Sequence, residues 1–350
     1  MEEIPFDYLR KIRQPYFAAR MRYACSFLFL VSSLQLQAQV LPSFGNSRTG
    51  TAGMQFLKIY PDARSAAMGG AFVAVANDAT ALYWNNAGIV SSEKKYQVGL
   101  GVGNYFAGSK ISQFSLIYKK KTSKYWGLMV NSIDFGQMQE TTEFQPVGTG
   151  RTFSLNCLTV GISYAQELTD HFSYGVMAKW AYEGIASVAT NNLLFDLGFK
   201  YNVGVKNARF AVALSNYGAN VKPNGKLEVL KFNGQNEITE FQRVSVPSIF
   251  RLGAAFDPIS KGYNVLTLSG QLNHYTDNNE TFSLGAEYTW KKLLIFRSGY
   301  EFGADEGGLP GLGFGLNMLK RIGCIRLDYS FNNKARLGNL HRIGLVYTPK

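Results

Sequence analysis

The sequence predicts an all-β fold: a transmembrane antiparallel β-barrel of about 14 strands with an N-terminal hatch or plug segment. Three observations predict it. The first is composition. Of 350 residues, 46% are hydrophobic and 14% aromatic but only 17% are charged, against about 25% in an average soluble domain. Outside the N-terminus no run approaches the ~20 apolar residues of a spanning helix. A wall in which every second residue is apolar has this balance, and a mean hydropathy of -0.09 averages its two faces. The second observation is alternation with period two from Tyr96 onward. The third is that short connections alternate with generally longer ones. Abundant aromatic and β-branched residues exclude disorder, and three cysteines are too few for a disulfide scaffold.

Residues 1–38 read as an export signal. Arg20 and Arg22 precede an apolar run from Ala24 to Leu36, and Ala38 is the small residue before Gln39. Met21 stands where such a peptide normally starts. Cys25 precedes the run rather than following it, which does not fit a lipoprotein. Removing residues 1–38 lowers the formal net charge from +12 to +10. The remaining charges are scattered into turns with no basic helix, so nucleic acid is not an expected partner. Anionic lipid headgroups and acidic partners are.

Residues 39–95 are expected to form a hatch folded into the periplasmic mouth of the barrel. The stretch from Pro61 to Gly88 is dense in Ala and Gly, which permits close backbone packing, yet it carries Phe72, Val73, Leu82, Tyr83 and Trp84, too many large apolar residues for a free linker. Gly69 and Gly70 supply a tight turn, and Asp78 or Thr80 can cap a short helix.

Residues 96–350 are expected to form the barrel. Thr281 to Trp290 shows the pattern most cleanly: Phe282, Leu284, Ala286, Tyr288 and Trp290 share one face, and Thr281, Ser283, Gly285, Glu287 and Thr289 the other. Segments of this kind run near 96–105, 111–120, 124–135, 152–166, 171–186, 193–203, 208–217, 247–257, 264–274, 281–290, 293–301, 311–318, 323–331 and 340–348. An even count places both ends of the barrel on the periplasmic side, with the short turns. The longer connections, 136–151, 218–246 and 302–310, then lie outside. The stretch 218–246 shows no strand pattern of its own and is a candidate functional loop. Tyr96, Tyr118, Trp126, Trp180, Tyr201, Tyr288, Trp290, Tyr329 and Tyr347 recur near strand ends, as rings at a lipid–water boundary do.

Opposite the apolar face stand Lys179, Glu183, Asp196, Lys200, Arg251, Glu287, Arg297, Glu301, Arg326, Asp328 and Arg342. A Lys or Arg facing the midplane of the hydrocarbon costs about 2–4 kcal/mol, so these side chains should face the lumen and pair there. Gly99, Gly101 and Gly103 put three glycines on the inner face of the first strand, where something should pack closely.

Chemistry is sparse. His171, His274 and His341 are far apart and have no metal-ligand spacing. Cys157 and Cys324 fall on distant strands without a neighbouring His. The glycine-rich stretch Gly308–Gly315 opens a strand rather than a helix, and no nucleophile elbow or P-loop is present. Asp305, Glu306, Glu140 and Glu143 are outer-surface carboxylates without Ca²⁺-ligand spacing. Neither an enzyme activity, a metal nor a cofactor is expected.

One segment carries a resemblance. Phe56-Leu57-Lys58-Ile59, then Pro61-Asp62-Ala63-Arg64-Ser65-Ala66-Ala67-Met68-Gly69-Gly70-Ala71-Phe72-Val73-Ala74 and Asp78-Ala79-Thr80-Ala81-Leu82-Tyr83-Trp84-Asn85-Asn86-Ala87-Gly88, resembles the N-terminal signature of the PorV/PorQ family of outer-membrane proteins. Within it, Pro61, Asp62, Ala63, Arg64, Gly69, Gly70, Asp78, Trp84, Asn85 and Gly88 stand out as hatch residues. The family usually has Pro where this chain has Asn86. The family is similar to the FadL long-chain fatty-acid transporters, fourteen-stranded barrels with an N-terminal hatch. The resemblance implies an outer-membrane location in a Gram-negative cell and a non-enzymatic role in type IX secretion. Its implied partners are outer-membrane lipid, other subunits of a secretion complex, and secreted cargo met through the outer loops 136–151 and 218–246. Two other roles fit the same fold: a FadL-like channel for hydrophobic small molecules, which the charged inner face disfavours, and a scaffolding subunit of another outer-membrane complex.

Overall fold

The computed structural model describes residues 50–121, 123–231, 234–304, 307–320 and 323–350. The expected signal region and residues 39–49 lie outside the described residues. From Tyr96 onward, 14 strands form one closed antiparallel barrel. They are β1 (Tyr96–Asn104), β2 (Lys110–Lys121), β3 (Lys124–Gln139), β4 (Thr152–Glu167), β5 (Phe172–Ile185), β6 (Val188–Asn202) and β7 (Arg209–Gly218). After a long connection follow β8 (Ile249–Lys261), β9 (Asn264–Tyr275), β10 (Thr281–Trp290), β11 (Leu294–Phe302), β12 (Gly311–Lys320), β13 (Gly323–Asn333) and β14 (Asn339–Pro349). Each pairs with its sequence neighbour, and β1 closes on β14 from Val98↔Tyr347 to Asn104↔His341. No sheet edge is left unpaired around the wall, which is what a barrel in lipid requires. No described helix is long and apolar enough to cross a membrane.

The alternation follows the pleat. On β10, Phe282 and Leu284 point out and are exposed, whereas Thr281, Ser283 and Glu287 point in and are buried. Exposed apolar side chains recur around the outside on almost every strand, including Val176, Phe199, Leu252, Phe296 and Ile343. At the short-turn end their rings join into a girdle: Tyr96 stacks on Tyr118 at 5.2 Å, and Trp126 meets Tyr164 edge-on at 5.2 Å.

Two long connections differ from the sequence expectation. β3 continues to Gln139, through a bulge between Asp134 and Gln137 with Gly136 in the left-handed region, so the loop begins at residue 140. The stretch 218–246 is not strand-free. Leu227–Lys231 pairs with Gly234–Ile238 as a hairpin, and Asn224–Gly225 adds to β6. The Gly-Gln-Asn-Glu run of the second hairpin strand has no apolar alternation, which is why its pairing is invisible in the sequence.

Residues 50–95 lie inside the wall. They comprise a 3-10 turn (Gln55–Lys58), α1 (Ala63–Ala67), α2 (Ala81–Trp84) and a second 3-10 stretch (Asn86–Ser91). The core of the molecule is here: Met68, Phe72, Val73, Leu82, Trp84 and Ile89 pack on inward-facing Ile117, Tyr125, Met129 and Met177. The segment is not confined to the periplasmic mouth as the sequence reading expects. It starts at the long-loop end, where Ala52 bridges Ser245, and leaves at the short-turn end, where Lys95 leads into β1. Small residues allow this, because a narrow backbone can thread the full length of a lumen already lined by side chains.

Candidate functional site: the filled lumen and the long-loop face

The residues of the N-terminal motif hold the segment's own shape and seat it on the wall. Asp62 caps α1: its carboxylate accepts from the Ser65 N–H at 2.8 Å, the Ser65 hydroxyl at 2.5 Å and the Trp84 indole N–H at 3.0 Å. Burial raises the Asp62 pKa. Trp84 is 1% exposed, with Tyr60, Phe72 and Tyr83 around its ring and the Arg251 guanidinium 5.1 Å from it. Asn85 caps the second 3-10 stretch by accepting from the Ala87 N–H at 3.0 Å, and donates to the Phe199 carbonyl of β6 at 3.1 Å. Asp78, not Thr80, makes the cap before α2, accepting from the Thr80 N–H at 2.9 Å.

Two motif glycines are explained by approach distance. Gly69 has φ +62°, and a Cβ there would stand 2.5 Å from the Tyr300 amide nitrogen. A Cβ on Gly88 would stand 2.4 Å from the Ala76 carbonyl oxygen. Pro61 and Ala63 are buried, and Gly70 turns under Tyr60. On β1, Gly99 faces Ala79 and Gly101 faces the Pro61 carbonyl, whereas Gly103 faces Arg342.

Arg64 and Asp78 also reach the wall, and there they close a ring of six charges. Arg64 grips Glu287 with two hydrogen bonds of 2.8 Å and reaches Asp78 at 2.8 Å. Asp78 accepts from Arg326 at 2.6 Å, and Arg326 donates to Asp328 at 2.7 Å. Asp328 accepts from Arg297 at 2.7 Å, and Arg297 returns to Glu287 at 2.6 Å. Three guanidiniums and three carboxylates alternate, so the ring is formally neutral. Two members come from the N-terminal segment and four from β10, β11 and β13. For Asp78, burial pushes the pKa up, but Arg326 and Arg64 outweigh it and hold the carboxyl far below the usual range. For Arg64, burial works against the charge, but Glu287 and Asp78 keep the guanidinium firmly protonated.

The other sequence-expected lumen residues also face inward, in smaller groups. Lys179 pairs with Asp196 at 2.8 Å and donates to the Asn216 side chain. Asn216 sits at φ +61° beside a register shift between β6 and β7, and its N–H donates to Asp196 at 2.7 Å. Arg251 donates to Ser215 at 2.7 Å. Lys200 donates to the Ala76 carbonyl at 3.0 Å, and Glu183 accepts from the Met54 N–H at 3.0 Å. Glu301 accepts from the Tyr60 hydroxyl at 3.0 Å, and Arg342 donates to the Tyr60 carbonyl at 3.0 Å. Sequence reasoning passed over Arg209 and Asp257, a buried pair at 3.3 Å. Both have the inward parity of their strands, so the same alternation could have found them.

At the long-loop end the lumen opens into a vestibule of about 640 Å³. Tyr60, Tyr105, Phe135, Tyr275 and Tyr300 line it, together with the Lys58–Asp277 pair at 3.1 Å. None of its lining residues comes from the short turns. Around it stand the long connections. Residues 140–151 fold on themselves through Thr142↔Gln145 and present Phe144 at 62% and Val147 at 89% exposure.

The remaining candidates are separate. His171 accompanies the Asn202 carbonyl at a short turn, His274 meets Glu280 at 2.9 Å, and His341 meets the Tyr329 hydroxyl at 2.8 Å. Among the described residues no group of three or more His, Cys, Asp and Glu is placed to hold a metal ion. Glu140 accepts from Thr149, Glu143 is exposed, and Asp305 and Glu306 lie outside the described residues. Cys157 is buried and Cys324 half-buried, both as free thiols.

Solved structures share this architecture. The CymD monoaromatic hydrocarbon channel aligns with TM-score 0.55 at 15% identity, over 83% of this chain and 97% of its own. The toluene transporter TbuX of Ralstonia pickettii gives 0.56 at 15% identity, over 83% and 98%. A FadL homologue of Pseudomonas aeruginosa gives 0.51 at 12% identity, over 88% and 100%. No curated protein matches in sequence. The fold is therefore that of a FadL-like barrel. Residues 43–191, which include the inward segment and β1–β5, match the family described as "Type IX secretion system protein PorV".

Proposed function

We propose that the chain is a non-enzymatic outer-membrane component of type IX protein secretion that binds partner proteins or cargo through its long-loop face. The family match over residues 43–191 carries this reading. The filled lumen supports it, because a barrel packed from Met68 to Ile89 works through its surfaces more readily than through a pore. So do Phe144 and Val147: apolar side chains held in water at a loop tip gain by being covered. In this reading residues 50–95 act as a fixed hatch.

The test is co-purification from native membranes in mild detergent, comparing the wild type with Phe144→Asp/Val147→Asp. Secretion components or cargo should accompany the wild type and fall at least about tenfold in the variant, as for loss of a buried apolar anchor. Recovery of the barrel alone from both contradicts the proposal.

A second reading has its own observation. The aromatic vestibule of about 640 Å³ matches a channel entrance for hydrophobic small molecules, the activity named for the CymD and TbuX structures. A deletion strain that loses uptake of such compounds while secreting normally would favour it.

A further inference from the structure

The mature chain's positive charge is concentrated at one end of the barrel. Lys94 and Lys95 precede β1, and Lys119, Lys120, Lys121 and Lys124 surround the β2–β3 turn. Lys206, Lys261, Lys291 and Lys292 occupy three further short turns, and Lys350 ends the chain beside β1. Among the described residues these eleven lysines face three carboxylates at that end, Glu93, Glu167 and Asp170. All are exposed except Lys119, which is half-buried, and none is in an ion pair with a described carboxylate. The long-loop end has no such excess. Its connection between β7 and β8 mixes Lys222, Lys226, Lys231 and Arg243 with Glu228, Glu237 and Glu240, and the connection between β9 and β10 carries Asp277 and Glu280.

The collar also has a defined height. Lys95 lies 5.5 Å from the Tyr96 ring, Lys291 4.7 Å from Trp290, and Lys292 5.1 Å from Tyr263. These rings are all exposed. Aromatic rings of this kind mark the boundary between hydrocarbon and headgroups. The ammonium groups beside them therefore stand at the level of lipid phosphates, in two sectors of the wall: seven of the eleven lysines lie at the adjoining ends of β14, β1, β2 and β3, and four occupy the turns from β6–β7 to β10–β11.

We propose that this lysine collar binds the phosphates of anionic glycerophospholipids in the leaflet that meets the short turns. The inference rests on reading the barrel as membrane-inserted. Charge complementarity and the girdle height favour lipid over a soluble partner, since Lys95 and Lys291 stand beside Tyr96 and Trp290, rings exposed on the side of the wall where lipid meets it. Binding through exposed charges weakens as salt screens them over about 8–10 Å.

The experiment uses the full chain. Insertion into nanodiscs of phosphatidylcholine alone tests the membrane reading by itself. The protein in detergent is then offered equal amounts of phosphatidylglycerol and phosphatidylcholine, and retained lipid is counted by native mass spectrometry. The expected result is at least about tenfold preference for phosphatidylglycerol, reduced by salt. The preference should fall at least severalfold in K120Q/K121Q/K291Q/K292Q and persist when the same positions become Arg. Equal retention of the two lipids, or an unchanged preference in the Gln variant, overturns the proposal. So does tighter binding of soluble polyglutamate than of phosphatidylglycerol, which would point to an acidic protein. A chain that fails to insert overturns the collar and the membrane reading together.

Discussion

Asp78 is the residue on which the lumen network turns, because it joins Arg64 of its own segment to Arg326 of the wall and also accepts the Thr80 N–H just before α2. Replacing a buried charged partner leaves the others uncompensated, which costs about 3–5 kcal/mol. Asp78→Ala should therefore lower the temperature at which the folded barrel converts to its unfolded gel mobility by many degrees. An unchanged transition would remove the ring from the account of stability. The same residue sets an acid response. Its folded pKa lies below the unfolded value near 3.9, so its contribution is complete above about pH 4 and drains away as pH falls further. Asp62, raised by burial, works in the opposite sense and blunts the response. Melting measured between pH 7 and pH 3 should be flat at first and fall only near the acid end. Asn86 offers the reverse case. It follows the extended Asn85, opens a 3-10 stretch, and buries a side-chain oxygen that has no partner. Pro suits both the first helical position and an extended preceding residue. Asn86→Pro should stabilise by about 0.4–1 kcal/mol, measurable as a raised melting temperature; a drop would show that the site is not relaxed enough for the ring.

At the scale of elements, α1 and the turn after it press directly on β11. A Cβ on Gly299 would stand 2.0 Å from the Met68 carbonyl carbon, so Gly299→Ala must push the two apart. The expected cost is about 1–3 kcal/mol, together with faster proteolysis of the N-terminal segment in the folded protein. Equal protection of variant and wild type would mean that the contact is not needed to hold the segment. The elements themselves were largely legible in the sequence, because period two has no competitor once one face is apolar: the 14 strands stand where alternation puts them. Their ends were less so. Gly136 and the bulge carry β3 four residues further, and a polar hairpin within 218–246 has no alternation to reveal it. The inward parity of Glu287, Arg297 and Asp328 was readable, but their partners were not. Which carboxylate meets which arginine depends on barrel curvature and on where Arg64 and Asp78 are carried by the inner segment.

For the whole molecule, the two ends differ. One is a broad set of loops around an aromatic vestibule, and the other is a rim of short turns crowded with lysine. Between them the inner segment runs the length of the lumen and is tied to the wall by charge on one side and by Met68, Phe72 and Leu82 within the core. In the proposed function such a molecule presents surfaces and blocks passage. The most direct measurement of that claim is the conductance of the purified full chain in a planar bilayer. A silent membrane after insertion is verified, with brief openings at most, is the predicted result. A steady, open-channel conductance from the wild type, with residues 50–95 still protected from protease, would contradict it.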